Sequence, residues 1–298
     1  AAITKGRKGE EITEYGILKA AGAVAISDDG SPVSSPEVMR RAMEYSLLFD
    51  LPVLSHCENM DLAAGGSMHE GYYSTILGIK GIPSIAEDID TAKDILLAEY
   101  TGARLHICHI STAGAVELVR NAKKKGIKVT AEAAPHHFSL TDKSVTGYNT
   151  NTKVNPPLRS NEDLEAVIEG LLDGTIDVIA SDHAPHTWED KNREYDYAPF
   201  GISGVETAVA VTIDTLYHQR KMPLMNLIEK YTTGPASVLG LDYSGLKPGS
   251  EANLTILDLE LRKKVKAEEF ISKGKNSPFD GRELKGWPVI TIYKGRVI

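Results

Sequence analysis

Cysteine is scarce in this sequence, which has only Cys57 and Cys108 among its 298 residues. Two cysteines cannot form a disulfide framework, so we expect a reducing, cytoplasmic setting. The sequence also lacks a run of 18 apolar residues and a signal-peptide pattern, so we expect a soluble chain with no membrane partner. Basic stretches are rare too, because the net charge is −8 and the one lysine block, 123–125, ends a predicted helix. Nucleic-acid binding is therefore not expected.

What the sequence does contain is a repeat of short apolar strands and amphipathic helices. Hydrophobic residues make up 42% of the chain, which is enough for a sizeable core. Apolar strands are predicted near residues 25, 53, 107, 131 and 179, and helical stripes separate most of them. This alternation predicts an α/β fold with a parallel sheet, and we favour a (β/α)8 barrel of the TIM type. A doubly wound open sheet also tolerates five strands, but no phosphate-binding glycine motif follows the first strand.

The tail of the chain has a different pattern. Residues 252–257 and 289–293 alternate apolar and polar positions next to glycine turns, which predicts antiparallel strands. We therefore predict a barrel unit over residues 1–241 and a small β-rich appendage over residues 242–298. A closed barrel needs eight strands, whereas we count five and a stub at residues 1–4, so we expect the N-terminal barrel strands to be missing from this chain.

Metal-capable side chains recur where the predicted strands end. Asp29, His56, His109 and Asp182 each close a different strand. One such residue is more often structural, but the carboxyl ends of parallel strands meet on one face of a barrel, so four of them predict a shared site. Carboxylate and imidazole suit Zn²⁺ or a neighbouring divalent ion, and an Asp there can also move a proton. Asp182 has a competing interpretation as the cap of a turn.

Several neighbouring residues are open to two interpretations. Glu58 either orients the histidine two positions before it or forms a surface ion pair. Both cysteines fit small buried apolar positions better than thiolate ligands. The pair at 136–137 either supports the site or simply packs, and His69 is interpreted as a surface residue.

An ordered set of motifs runs through the chain. In order, they are Ser27–Val33 (SDDGSPV), His56–Glu58 (HCE), His106–Thr112 (HICHIST), Pro135–His137 (PHH), Asn155–Arg159 (NPPLR), Asp182–His186 (DHAPH), Ala198–Ile202 (APFGI) and Asn276–Gly281 (NSPFDG). Together they resemble the class I (bacterial-type) dihydroorotases of the cyclic amidohydrolase superfamily. The resemblance extends from about Thr4 to the C-terminus.

The resemblance implies a barrel with two zinc ions and the reversible hydrolysis of dihydroorotate to N-carbamoyl-aspartate in pyrimidine biosynthesis. It implies that Asp29 bridges the metal ions, that His56 and His109 hold one ion, and that Asp182 binds the other and acts as general base and acid. The register of the SDDG motif selects Asp29 rather than Asp28 for this role. The positions that match the substrate pocket are Asn155, His186, Pro199, Phe200 and Gly201.

One departure from the family pattern stands out. The family carries His-x-His followed by Arg on its first strand, and no His-x-His occurs in these 298 residues. A pocket asparagine from the following segment is missing as well. The resemblance thus predicts a family member without its N-terminal third, with little turnover by itself.

Two alternative functions are weighed against this one. Another cyclic amidohydrolase, such as an allantoinase or a dihydropyrimidinase, would usually carry a carboxylated lysine where Asp29 stands. A non-catalytic dihydroorotase-like subunit would have no need to keep four metal ligands. The resemblance also implies a homo-oligomer and a possible carbamoyltransferase partner.

Overall fold

The computed structural model describes residues 1–243 and 245–298, and a five-stranded parallel sheet lies at its centre. The strands of the chain are β1 Ile26–Ser27, β2 Val53–Ser55, β3 Met68–His69, β4 Gly81–Ile82, β5 Leu105–Ile107, β6 Val129–Ala133, β7 Val178–Ile179, β8 Leu254–Lys264, β9 Glu283–Tyr293 and β10 Arg296–Val297. The central sheet has the order β1-β2-β5-β6-β7. This order follows the chain without reversal, as in a barrel, whereas a doubly wound sheet reverses at a switch point.

Helices precede, connect and follow the strands of the central sheet. They are α1 Tyr15–Ala20, α2 Pro36–Leu47, α3 Met60–Ala63, α4 Tyr72–Leu77, α5 Ile85–Thr101, α6 Ala113–Lys124, α7 Asn161–Asp173, α8 Trp188–Lys191, α9 Ala208–Thr212, α10 Leu224–Glu229 and α11 Thr233–Leu239. Ser35, Thr112 and Ser160 cap α2, α6 and α7 by accepting a backbone N–H. Gly102 and Gly174 end α5 and α7 with positive φ. These caps fix the helix ends and therefore the loops that follow the strands.

The structure differs from the predicted elements in two helical regions. The helix predicted over 224–239 is two helices, α10 and α11, and the break is explained by Pro235, which cannot donate to the preceding turn. The helix predicted over 205–218 begins only at Ala208 and continues as a π-helix, Ile213–Gln219. The predicted loop over 64–82 contains α4 and the parallel pair β3–β4.

The C-terminal strands form a separate antiparallel sheet in the order β10-β9-β8. Its strands are longer than predicted, and they pair from Leu254 with Ile292 to Lys264 with Glu283. Phe279 and Leu284 are buried in the main hydrophobic core. The boundary at residue 241 remains a prediction. Among the described residues, no helix is long and apolar enough to cross a membrane.

Candidate metal centre and its cavity

Three predicted ligands meet at the carboxyl end of the central sheet. Asp29 follows β1, His56 follows β2 and His109 follows β5. His56 Nδ1 lies 3.1 Å from His109 Nε2, and Asp29 Oδ1 lies 3.1 Å from His109 Nε2 and 3.7 Å from His56 Nδ1. Both imidazoles are buried, whereas the Asp29 side chain is 57% exposed. The three donor atoms therefore converge on one point, as metal ligands do.

The backbone at two of the predicted ligands is strained. His109 has φ 32° and Asp182 has φ 46°, so both adopt the left-handed region that non-glycine residues seldom occupy. Such conformations cost about 1–3 kcal/mol each and persist only where the surrounding fold imposes them. This backbone strain therefore lies at two residues that the sequence predicts as metal ligands.

Charge is unevenly shared within this cluster. The hydrogen bond with His109 lowers the pKa of Asp29 to about 2. Burial favours the neutral ring of His109, but the bond to Asp29 and the nearby charge of Asp182 outweigh it and raise the pKa to about 9. Without a cation, the protonated His109 ring therefore supplies the positive charge next to the carboxylates of Asp29 and Asp182.

The donor set fits a zinc ion. Two imidazole nitrogens and one carboxylate oxygen are borderline ligands of the kind that Zn²⁺ prefers. His56 Nδ1 and His109 Nε2 face each other at 3.1 Å, and both face Asp29 Oδ1. A shared cation satisfies these facing lone pairs better than one ring proton can. The cysteines do not join the set. Cys57 Sγ contacts Ser55 and Asp94 instead, and Cys108 does not belong to the group of converging ligand atoms within the described residues.

Asp182 lies beside this cluster and faces a histidine that sequence reasoning left unassigned. Its Oδ2 is 3.6 Å from His136 Nε2, a buried atom with no hydrogen-bond partner in the described part of the chain. Burial lowers the pKa of His136 to about 4, so the ring is neutral. The sequence signal for His136 is its position shortly after β6, because His56 and His109 follow β2 and β5 in the same way.

Glu58 links His56 to Asn155, another residue predicted for the pocket. Its Oε2 lies 3.4 Å from His56 Nε2 and accepts a 2.9 Å hydrogen bond from Asn155 Nδ2. Burial opposes ionisation of Glu58, but these contacts outweigh it and lower its pKa. Glu58 thus orients His56, as one of its two interpretations proposed, and does not form a surface ion pair.

A cavity of about 220 Å³ opens over the cluster. The residues that line it are Asp29, Gly30, His56, His109, Val154, Asn155, Asp182, Ala184, Phe200 and Gly201. Two predicted pocket residues, His186 and Pro199, are not among them. His186 lies behind the wall, where its Nε2 contacts the Phe200 carbonyl at 2.8 Å, and the Pro199 carbonyl accepts a hydrogen bond from Lys191.

Asp28 and His69 are buried outside the residues that line the cavity, and each contacts other parts of the fold. Asp28 is buried and accepts hydrogen bonds from the backbone N–H groups of Ile3 and Thr4, so it fastens the first residues of the chain. The surface interpretation of His69 is wrong, because its side chain is buried beside Arg159. Burial lowers the pKa of His69 to about 4.

Comparison with known proteins places these features in context. A family model described as "Dihydro-orotase-like" matches residues 1–115. A dihydroorotase of Pelotomaculum thermopropionicum is 57% identical over 297 residues, covering all of this chain and 70% of that protein. A dihydroorotase of Acetivibrio thermocellus is 53% identical, with the same coverage of both proteins.

Solved structures show the same architecture. The L-hydantoinase (dihydropyrimidinase) of Arthrobacter aurescens has a TM-score of 0.87 and 28% identity, covering 100% of this chain and 68% of that chain. The dihydropyrimidinase of Brevibacillus agri has a TM-score of 0.83 and 20% identity, covering 95% of this chain and 65% of that chain. These likenesses confirm the predicted barrel-type fold of the metal-dependent amidohydrolases.

Proposed function

This chain belongs to the dihydroorotase family of cyclic amidohydrolases, and we propose that its cavity hydrolyses dihydroorotate reversibly to N-carbamoyl-aspartate. The two curated relatives confirm the family and the enzyme class that the motifs predict. The observation that carries the site assignment is the convergence of Asp29, His56 and His109 in a cavity that Asp182 and Asn155 also line. The family is metal-dependent, and zinc is the ion that this donor set favours.

In this proposal Asp29, His56 and His109 would hold one zinc ion, and Asp29 and Asp182 would contribute to the site of a second. Bound zinc supplies Lewis acidity toward the ring amide carbonyl and toward water. Asp182 accepts the proton of the attacking water and returns it to the ring nitrogen as the carbon–nitrogen bond breaks. His136 is neutral and faces Asp182, so it can donate a hydrogen bond that holds the carboxylate in place.

The substrate wall offers polar groups for a cyclic imide. Asn155 Nδ2 donates a hydrogen bond to Glu58, while the buried Oδ1 of Asn155 has no hydrogen-bond partner among the described residues. We assign this oxygen to a ring N–H of the substrate. Phe200 and Gly201 also line the cavity, and an aromatic face and a backbone without a side chain fit a flat ring.

The proposed function is tested by comparing three cyclic amides. We expect the full-length protein that contains this sequence, loaded with zinc, to turn over dihydroorotate with a kcat/KM on the order of 100-fold or more above that for allantoin or dihydrouracil. Equal or higher activity on either neutral ring would assign the site to another branch of the superfamily. Zinc content measured on the same sample separates an enzyme from a metal-free scaffold, for which neither turnover nor zinc is expected.

A further inference from the structure

Two buried lysines lie behind the substrate wall. Lys153 is 2% exposed and Lys191 is 5% exposed. Neither forms an ion pair with a carboxylate within 4.0 Å across residues 1–243 and 245–298. An ammonium group is expensive to bury unless its donors are satisfied, so the groups that satisfy these two lysines indicate what they hold.

Lys191 bonds to backbone carbonyls alone. Its Nζ donates to the carbonyls of Pro199 at 2.8 Å, Gly201 at 3.1 Å and Lys153 at 3.4 Å. An ammonium has three N–H donors, and all three are used by these contacts. Lys191 ends α8, so it ties the end of that helix to the cavity wall.

Lys153 binds the beginning of the segment 195–201, whose last residues accept hydrogen bonds from Lys191. Its Nζ donates to the carbonyls of Tyr195 at 2.9 Å and Asp196 at 3.0 Å and to Ser67 Oγ at 3.3 Å. The same atom lies 4.7 Å from the centre of the Phe200 ring, within range of a cation–π interaction. Both ends of the segment 195–201 are therefore held by buried ammonium groups.

The segment has little freedom to shift where it meets the cavity. Gly201 N–H donates to the Lys153 carbonyl at 2.9 Å. Gly201 has φ 141°, and a Cβ placed there would lie 2.6 Å from the Ala184 carbonyl oxygen and 2.8 Å from His186 Nε2. Because backbone passes this close to backbone, a small displacement of the segment changes the shape of the cavity.

We infer that Lys153 and Lys191 are positioning residues for substrate binding, because their ammonium groups hold the segment 195–201 so that Phe200 and Gly201 form the cavity wall. This inference rests on the proposed function, since it assigns the wall to the substrate. Neither lysine touches the substrate in this role, because every N–H is already engaged by the protein. Burial and the neighbouring charge of Lys153 lower the pKa of Lys191 to about 8, which is consistent with two ammonium groups held close together.

The test replaces each lysine by methionine, which keeps the length of the side chain and removes the charge and the donors. Lys230→Met is the matched control, because Lys230 is also buried and donates to a backbone carbonyl, that of Ile176, which precedes β7 at the opposite end of the sheet. The substitutions are made in the full-length protein that contains this sequence, and the zinc-loaded variants are compared by hydrogen exchange followed by mass spectrometry and by steady-state kinetics on dihydroorotate.

We expect peptides covering 195–201 to exchange on the order of 10-fold faster in Lys191→Met and Lys153→Met but not in Lys230→Met. KM should rise on the order of 10-fold in the first two variants while kcat changes less than about threefold, because ground-state and transition-state binding weaken together. Lys191→Arg, which keeps the charge and donors, should lie closer to the wild type than Lys191→Met. It also serves as the second variant if the methionine protein does not fold.

Unchanged exchange at 195–201 in folded Lys153→Met and Lys191→Met proteins would overturn the inference. An equal rise in KM for Lys230→Met would do the same, because the effect would then follow from any buried lysine. If the wild-type full-length protein does not turn over dihydroorotate, the proposed function fails, and the exchange data still decide whether the lysines hold the segment.

Discussion

The two ends of the central sheet are both polar, but their charges are arranged differently. At the amino end, Lys123 Nζ lies 2.7 Å from both oxygens of Asp177, and Arg120 pairs with Asp173 at 2.9 Å. At the carboxyl end, ligand-type atoms face one another with no lysine or arginine between them among the residues lining the cavity. The amino end has the larger cavity, about 580 Å³ against 220 Å³. The ligand-type atoms that face one another, and not the volume of the cavity, therefore identify the candidate site.

The sharpest test of this contrast replaces an aspartate at each end of β7. Asp182→Asn should lower kcat by on the order of 10³-fold, because the amide cannot accept the proton of the attacking water. Asparagine tolerates the left-handed backbone at this position, so the fold should persist. The control, Asp177→Asn, should retain kcat within about threefold, because Asp177 serves the Lys123 ion pair and the Ala131 N–H. Near-normal turnover by Asp182→Asn would remove Asp182 from the chemistry.

A second test compares two histidines around one strand. His109→Asn should weaken zinc affinity by on the order of 100-fold or more, because a ligand contributes at least as much as the partner that orients it. His106→Asn is the matched control, since His106 lies on β5 itself and is buried between Thr130 at 2.8 Å and Glu132 at 3.1 Å. Competition with a chromogenic chelator measures both affinities. Equal losses in the two variants would contradict the assignment of His109 as a ligand.

A third test uses pH on the metal-free protein. The pKa of His109, about 9, lies above its usual 6.5, so the folded state binds this proton more tightly than the unfolded state does. The resulting stability is fully present below about pH 6.5 and is lost as the pH rises through 9. Solvent around the half-exposed Asp29 carboxylate limits the loss in free energy of unfolding to about 1–2 kcal/mol.

Denaturant unfolding at pH 6 and pH 9.5, with chelator present, measures this difference. The Asp29→Asn variant should show a smaller dependence, because it loses the charged partner of the His109 ring. An unchanged pH dependence in Asp29→Asn would show that the proton is held by other groups.

The smallest effect is expected at the amino end. Lys123→Met should lower the free energy of unfolding by less than about 1 kcal/mol, because the ion pair with Asp177 is partly exposed. Zinc affinity and KM for dihydroorotate should remain unchanged, as measured by chelator competition and steady-state kinetics. A loss of zinc in this variant would mean that the two ends of the sheet are coupled.

The sequence predicted the convergence of Asp29, His56 and His109 because each follows a strand of one parallel sheet, and parallel register brings such positions together. The orientation of the loop residues His186 and Pro199 was not predictable in the same way, since no strand register sets the direction of a side chain in a loop. Lys153 and Lys191 gave no signal, because a lysine in a polar stretch usually indicates a solvated surface. The break before α11 could have been predicted from Pro235, because a proline cannot donate a hydrogen bond to the preceding helical turn.

Some predictions are tested by none of these findings. The oligomeric state and a carbamoyltransferase partner, which rest on the resemblance, and the cytoplasmic setting, which rests on the scarcity of cysteine, remain predictions. The boundary between residues 1–241 and 242–298 also remains a prediction, although the antiparallel sheet that motivated it is present.

The central claim is that the carboxyl end of the sheet holds a metal ion between Asp29, His56 and His109. Diffraction from zinc-loaded crystals at the zinc absorption edge tests it most directly. The account predicts an anomalous peak about 2.0–2.2 Å from His56 Nδ1, His109 Nε2 and an Asp29 oxygen, with a second peak beside Asp182. Zinc located only elsewhere, with the two histidines still facing each other as in the metal-free arrangement, would contradict the account.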